Sequence, residues 1–599
     1  MIDNSEQSAE SLSVELFDFC QSDSLSEEGL REIIEHRHGL TPNDELGLTP
    51  NVNDKYHRSS FHMACRNKRV TEGIIRRLLV YFPAAASATD SQGFMPLHDA
   101  CWNRSATLNI IRLLLEAAPE TVRSSSNSGW MPIHALFMNE TMDEATVIQI
   151  LKLLIEKCPE AVRHADDKGL LPLHHACDNK SATLNIIQIL IDAAPASVSS
   201  LSTRSWMPLH CLCYNREVDE RAAIQILKLL IEKCPEAVRY KMKKGNLPIH
   251  LASEWRSSEF CQVLIEAYPG SERMSNAIGA LPLHFACLKS TVDVVGYFLQ
   301  IYPEAIYHAT STGHHPIHYA ICHRNGLAAL DVMQFLLDCN PNVKLQEFQG
   351  ESLLHYACRE VEHNISNIEA SVQIIKVIFD AHPEAIECDR FASDIRNFHQ
   401  QVQVFINGEL VYARQARDHR RMTTPDDKGQ LPLHEALQNN ATLGSIKLLV
   451  KGNADAIQCQ DDSGTLPLHV ACQHYDSTDV IDYLVGLDTA SLYAVDRQGD
   501  TALHCACRGA KYDAIGLLIE KYDAVSVSKR NAQNNLPIEL LWESNAVEDR
   551  EGVGYTESIF RLLKSYPEMF MTNYAKLKQR AVLGQGPSRS GKKRKCGNT

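Results

Sequence analysis

Histidine and cysteine are the residues of this chain whose types and spacing could do chemistry. There are 26 histidines and 19 cysteines. Together they could ligate zinc, or pair as thiolate nucleophile and base. They recur in a fixed frame. One histidine falls at each of His62, His98, His134, His174, His210, His250, His284, His318, His355, His434, His469 and His504. A cysteine follows three positions later at Cys65, Cys101, Cys177, Cys213, Cys287, Cys358, Cys472 and Cys507. That regularity argues against a site. Equivalent residues of stacked helical units stand about 8–10 Å apart, whereas zinc draws its ligands to about 2 Å from one ion. The imidazoles therefore form a ladder, and the cysteines act as small buried hydrophobes. Cys211 and Cys505 neighbour the same slot, and the pairs His174-His175 and His314-His315 lack accompanying ligand spacing. No phosphate-binding loop, dinucleotide fingerprint, zincin or kinase motif occurs. No cofactor and no catalytic activity are expected. An enzyme would need its site in 1–54, 387–424 or 545–599, where no nucleophile–base spacing is found.

The elements that carry this frame are read from the string around each histidine. Leu-Pro-Leu-His stands at Leu171–His174, Leu281–His284, Leu431–His434 and Leu466–His469, with variants at the other positions. The period is about 35 residues. In the unit Gly169–Pro195, Gly169 permits a left-handed turn. Pro172 suits the first position of a short inner helix through His174, Ala176 and Cys177. Ile186, Ile187, Leu190 and Ile191 give the apolar face of a second helix, and Pro195 ends it. Ser205 and Asn534 replace the turn glycine; asparagine tolerates that conformation, so the turn at Ser205 is expected to differ. A longer period is superposed. Ile148–Arg163 and Ile224–Arg239 are the same string, IQILKLLIEKCPEAVR, 224 − 148 = 76 positions apart.

This unit resembles the ankyrin repeat, with its D-x-x-G-x-T-P-L-H-x-A motif. The match is strong at Asp496–Ala506, Asp166–Ala176 and Asp461–Ala471, and the resemblance covers roughly 55–575. Leu or Met usually replaces the family's Thr, losing a hydroxyl that helps hold the histidine. Pro-Glu-Ala replaces the family's Gly-Ala-Asp after the outer helix, as at Pro159–Ala161 and Pro235–Ala237. The resemblance implies an all-α solenoid of about thirteen helix-turn-helix repeats with β-turn fingers. It also implies a protein-interaction scaffold or adaptor that binds other proteins on its concave face.

In that family the finger tips and the exposed ends of the inner helices make the contacts. Those slots here hold Phe94, Trp102, Trp130, Trp206, Tyr214 and Trp255. The chain has 5 tryptophans, four of them in these slots. Large aromatics are favoured interface anchors. The alternative is that the indoles fill gaps between neighbouring repeats. Both readings stand on the sequence.

A second candidate surface is an insertion between Pro383 and Gly429. Val402–Ile406 and Glu409–Ala413 flank Asn407-Gly408, which predicts a β-hairpin projecting from one finger. Its descending side carries Arg414, Arg417, Arg420 and Arg421, a set that could grip an acidic partner or simply be solvated. A degenerate extra repeat also fits the length. The expected division is a cap and linker over 1–54, with one helical stretch at Glu27–Arg37, then repeats over 55–386. The hairpin insertion follows over 387–424, then repeats over 425–575 and a basic disordered tail over 576–599.

Lys+Arg 59 against Asp+Glu 74 leaves a net charge of −15. That balance argues against direct nucleic-acid binding. No apolar run approaches the roughly 18 residues of a membrane span, and the first residues lack the features of a secretory signal. A reduced, cytoplasmic, monomeric protein is expected. Lys592, Lys593, Arg594 and Lys595 form a patch that could serve nuclear localisation. A nuclear transcriptional or signalling cofactor with the same repeats is therefore the alternative.

Overall fold

Five repeats open on a turn closed by an aspartate, and others use Ser126, Ser202, Asn276, Thr310 or Asn531 in the same place. In the worked unit, Asp166 Oδ1 accepts the amides of Lys168 at 2.9 Å and Leu170 at 2.8 Å. Gly169 takes φ +72°. A Cβ there would meet the Thr203 amide nitrogen at 3.0 Å, because the next finger lies against it. The turn at Ser205 does not differ as expected. It keeps the left-handed conformation at φ 61°, and Asn534 does so at 63°. Neighbouring fingers are tied by backbone hydrogen bonds, such as Asp167 N–H to Ser128 O at 3.0 Å and Thr203 N–H to Lys168 O at 2.9 Å.

The inner helix Pro172–Asp178 starts on proline, and the outer helix Leu184–Ala193 is capped by Thr183, whose hydroxyl accepts the Ile186 amide. The proline after the outer helix does more than stop it. Pro195–Ser199 forms a 3-10 turn, as do Pro159–Arg163, Pro235–Arg239 and Pro303–Tyr307. Proline is tolerated there because its missing N–H would be unbonded at the first position anyway. The two copies of the repeated string lie on helices Glu144–Lys157 and Glu220–Lys233, each followed by its own 3-10 turn.

The structure is a computed structural model describing residues 2–41, 54–139, 141–322, 326–340, 342, 345–361, 368–387, 394–475, 477–521, 527–543 and 553–565. The chain forms two compact units, Met1–Cys339 and Asn340–Thr599. In the first, inner helices pack on inner helices and outer on outer, from Ser60–Arg66 with Glu72–Tyr81 to Pro316–Ile321 with Gly326–Cys339. Its leading segment holds more than the expected stretch at Glu27–Arg37. A helix over Ile2–Gln21 packs on Ser60–Arg66, and Glu27–Arg31 packs on Glu72–Tyr81.

In the second unit a core runs from Met422 to Leu562, with Leu433, Ile446, Leu468, Ile481, Leu503 and Ile515 buried. The insertion departs from the expectation. Among the described residues the one β-bridge pairs Phe348 with Glu351, and the predicted β-hairpin is instead an α-helix over Gln400–Arg417. Val402, Ile406, Glu409 and Ala413 are its buried residues. They fall at helical spacing, and that face packs against the outer helix Leu443–Gly452. Phe405 meets Phe379 edge-on at 6.1 Å. Glu409 accepts from Thr442 at 2.7 Å and from Ser445. Helix Ile368–Ala381 also touches Leu443–Gly452 directly, and the Gly444 amide donates to Asp380 Oδ1 at 2.6 Å.

Candidate partner-binding surface

The motif histidines build the frame on which a surface can stand. His174 Nδ1 accepts the Leu171 amide at 3.0 Å, so its proton sits on Nε2, which donates to Trp206 O at 3.1 Å. His98 likewise reaches Trp130 O at 2.9 Å, and His62 reaches Phe94 O at 3.1 Å. Each of these three imidazoles thus ties its own helix start to the finger of the next repeat. The family hydroxyl survives at Thr501, 2.8 Å from His504 Nδ1, and as Ser59 Oγ at 2.8 Å from His62 Nδ1. Where Leu or Met stands instead, Nδ1 accepts the backbone amide without a hydroxyl beside it.

Burial keeps these rings neutral. It pushes His62, His98, His174, His210 and His250 down to about 4. His134, His284 and His318 go to about 3. Burial also pushes the Cys20 and Cys213 thiols up to about 12, and raises Cys65, Cys177 and Cys472 well above the thiol range. Such thiols are poor nucleophiles and poor ligands. Among the described residues, the acidic group that could face one ion is Asp496, Asp500 and Cys505. Its donors already serve the fold: Asp496 Oδ1 accepts two finger amides at 2.8 Å, and Asp500 holds Arg508 and Asn531.

A second ladder went unread in the sequence. Asn67, Asn103, Asn179 and Asn215 each stand five positions after a motif histidine. Asn103 Nδ2 donates to Cys65 O and Asn67 O, both at 2.8 Å, and Asn215 Nδ2 donates to Cys177 O at 3.1 Å and Asn179 O at 3.0 Å. The recurrence of asparagine at one slot was the available signal. Arg256 replaces it one position later and is buried, with Nη2 donating to Leu212 O at 2.9 Å.

The six aromatic candidates all lie in the first unit, on two groups of neighbours. Phe94 and Trp130, on adjacent fingers, meet edge-on at 6.3 Å. With Trp102, at the end of inner helix Pro96–Trp102, and Tyr56 they line one cavity of about 370 Å³. The second group is Trp206 against Tyr214 at 5.5 Å and Tyr214 against Trp255 at 6.5 Å. Trp102 is 40% and Tyr214 44% exposed, while Phe94, Trp130, Trp206 and Trp255 are half-buried. Both groups therefore pack on the fold and present ring surface outward. The Trp255 indole N–H is buried without a hydrogen-bond partner, and Lys289 Nζ stands 4.4 Å over the ring.

The basic candidates lie in the second unit. Arg414 and Arg417 occupy the last turn of helix Gln400–Arg417, and Arg420 and Arg421 the short helix His419–Thr423. All four are exposed. Lys592, Lys593, Arg594 and Lys595 fall outside the described residues. Among the described residues no helix is long and apolar enough to cross a membrane.

Comparison with known families agrees with this geometry. A family described as ankyrin repeats (3 copies) matches 395–496 and 433–531, and the single ankyrin repeat matches 312–345. The first of these takes in the helix of the insertion. No curated protein matches the chain.

Proposed function

This chain carries ankyrin repeats, and on that premise we propose that it is a non-catalytic scaffold or adaptor, a solenoid of about thirteen repeats. Ankyrin repeats are generally protein-interaction modules and are typically non-catalytic. In this reading a protein partner docks on the concave face of the first unit. Phe94, Trp102, Trp130, Trp206, Tyr214 and Trp255 anchor it. The observation that carries the reading is the pair of aromatic groups held half-open on a frame of buried, neutral histidines. Large rings on a rigid support bind at low entropic cost.

The exposed arginines Arg414, Arg417, Arg420 and Arg421 make a separate contact for acidic groups. The protein works as a monomer in the cytoplasm, or in the nucleus if Lys592–Lys595 directs it there. The test is the triple change Trp130→Ala, Trp206→Ala and Trp255→Ala. Partner capture is expected to fall while circular dichroism and melting hold. Loss of folding would instead make these rings core and remove the basis of the proposal.

A further inference from the structure

We propose that Thr423 is a phosphorylation site for a protein kinase that reads basic residues. The modification goes beyond the scaffold reading and does not depend on it. Kinases select substrates by charge pattern. One class of them takes two adjacent cations, two and three positions before the acceptor hydroxyl, into an acidic groove. Two strings in the chain meet that pattern, Lys68-Arg69-Val70-Thr71 and Arg420-Arg421-Met422-Thr423. The structure separates them.

At Thr71 the hydroxyl and the leading cation are in use. Lys68 Nζ pairs with Asp23 at 2.8 Å. The Thr71 hydroxyl accepts the Ile74 amide at 3.2 Å and caps the helix Glu72–Tyr81. At Thr423 both are available. Arg420, Arg421 and Thr423 are exposed, as is the run 424–428 that follows. Neither arginine makes an ion pair among the described residues. The carboxylates nearest in sequence are turned to backbone amides. Asp418 Oδ1 accepts the Arg421 amide at 3.3 Å, and Asp426 Oδ1 accepts those of Lys428 at 2.9 Å and Gln430 at 2.8 Å. The Thr423 hydroxyl donates to His419 O at 2.9 Å and Arg420 O at 3.3 Å, both within its own turn.

A kinase takes its substrate as an extended segment, so the acceptor must leave its helix. His419–Thr423 is a helix of 5 residues, and Met422 is its one buried residue. Asn453 Nδ2 donates to Met422 O at 2.8 Å. A segment with so few buried contacts opens locally at low cost, and opening here frees Arg420, Arg421 and Thr423 together. Thr424 is the neighbouring acceptor, but it has Arg421 alone of the two cations in place and Pro425 directly after it.

The reaction is phosphoryl transfer from ATP. The bond from the γ-phosphorus to the bridging oxygen breaks, a bond to Thr423 Oγ1 forms, ADP leaves, and the hydroxyl proton passes to the kinase's catalytic aspartate. The product places about −1.5 to −2 charge beside Arg420 and Arg421 at pH 7. That charge offsets theirs and so opposes a contact with acidic groups.

The test incubates the full chain with ATP and the catalytic subunit of a cyclic-AMP-dependent protein kinase, and reads sites and rates by mass spectrometry. Phosphate is expected on Thr423 and not on Thr71. Thr71 is the internal control, since unfolded chain would offer both strings alike. Thr423→Ala is expected to remove the modification. Arg420→Ala with Arg421→Ala is expected to slow transfer about tenfold or more, with circular dichroism unchanged because both side chains are exposed. Absence of phosphate on Thr423, faster transfer to Thr71 or Thr424, or a rate indifferent to the arginine changes overturns the proposal.

Discussion

A buried neutral imidazole is stable only while it stays unprotonated. Exposed histidine titrates near 6.5, whereas His62, His98, His174, His210 and His250 are held at about 4 by burial. Between those values the unfolded chain binds protons that the folded chain refuses, so stability rises with pH. The contribution is intact above about 6.5 and is lost as pH falls toward 4. Each such histidine adds a slope of up to about 1.4 kcal/mol per pH unit. Four buried carboxyls work in the opposite direction, since burial raises Asp99 to about 7 and Asp380 to about 6 and also raises Asp178 and Glu409. The eight ladder histidines held at about 3 or 4 outnumber them. Urea midpoints measured from pH 7 to pH 4.5 are expected to fall steeply, and a flat profile would contradict the buried, neutral assignment. The ladder was legible because one residue type recurs at one spacing. The asparagine ladder followed the same rule and was passed over, because asparagine is common in loops and its target carbonyls lie in the preceding repeat.

At the scale of elements, the repeat was readable and the insertion was not. The segment Val402–Ala413 satisfies two periods at once. Val402, Val404 and Ile406 alternate like a strand, and Asn407-Gly408 adds a turn signal. Val402, Ile406, Glu409 and Ala413 recur like a helix, and this second set is the one buried. The surface offered by helix Leu443–Gly452 decided between them, and that surface is invisible to a reading of the segment alone. Gly408 now sits mid-helix, exposed, with nothing within 4 Å of where a Cβ would stand. Gly408→Ala is therefore expected to raise stability by about 0.5–1 kcal/mol. In a hairpin turn with positive φ the same change would destabilise, so a denaturation curve separates the two structures.

At the scale of the whole molecule, the described inner and outer helices of each unit pack chiefly on those of adjacent repeats, and stability is close to a sum of local terms. The architecture was legible from the period before any helix was assigned. The division between Cys339 and Asn340 was not, because no change of composition marks it. Neither was the leading helix Ile2–Gln21, whose polar surface gives little periodic signal. The choice of ligand belongs to surface residues that vary from repeat to repeat. It follows from where the fold gathers them rather than from any motif.

The two copies of IQILKLLIEKCPEAVR make the first unit divisible without a scar. Excising 148–223 would join Val147 to Ile224 and rebuild helix Glu144–Lys157 and its following turn with every side chain unchanged. His134, which donates to His164 O, would find Tyr240 O in the same place, as His210 does now. The shortened protein is expected to fold and to melt cooperatively. It would lack Trp206 and Tyr214 and keep Tyr56, Phe94, Trp102 and Trp130, so the two aromatic groups could be assayed apart.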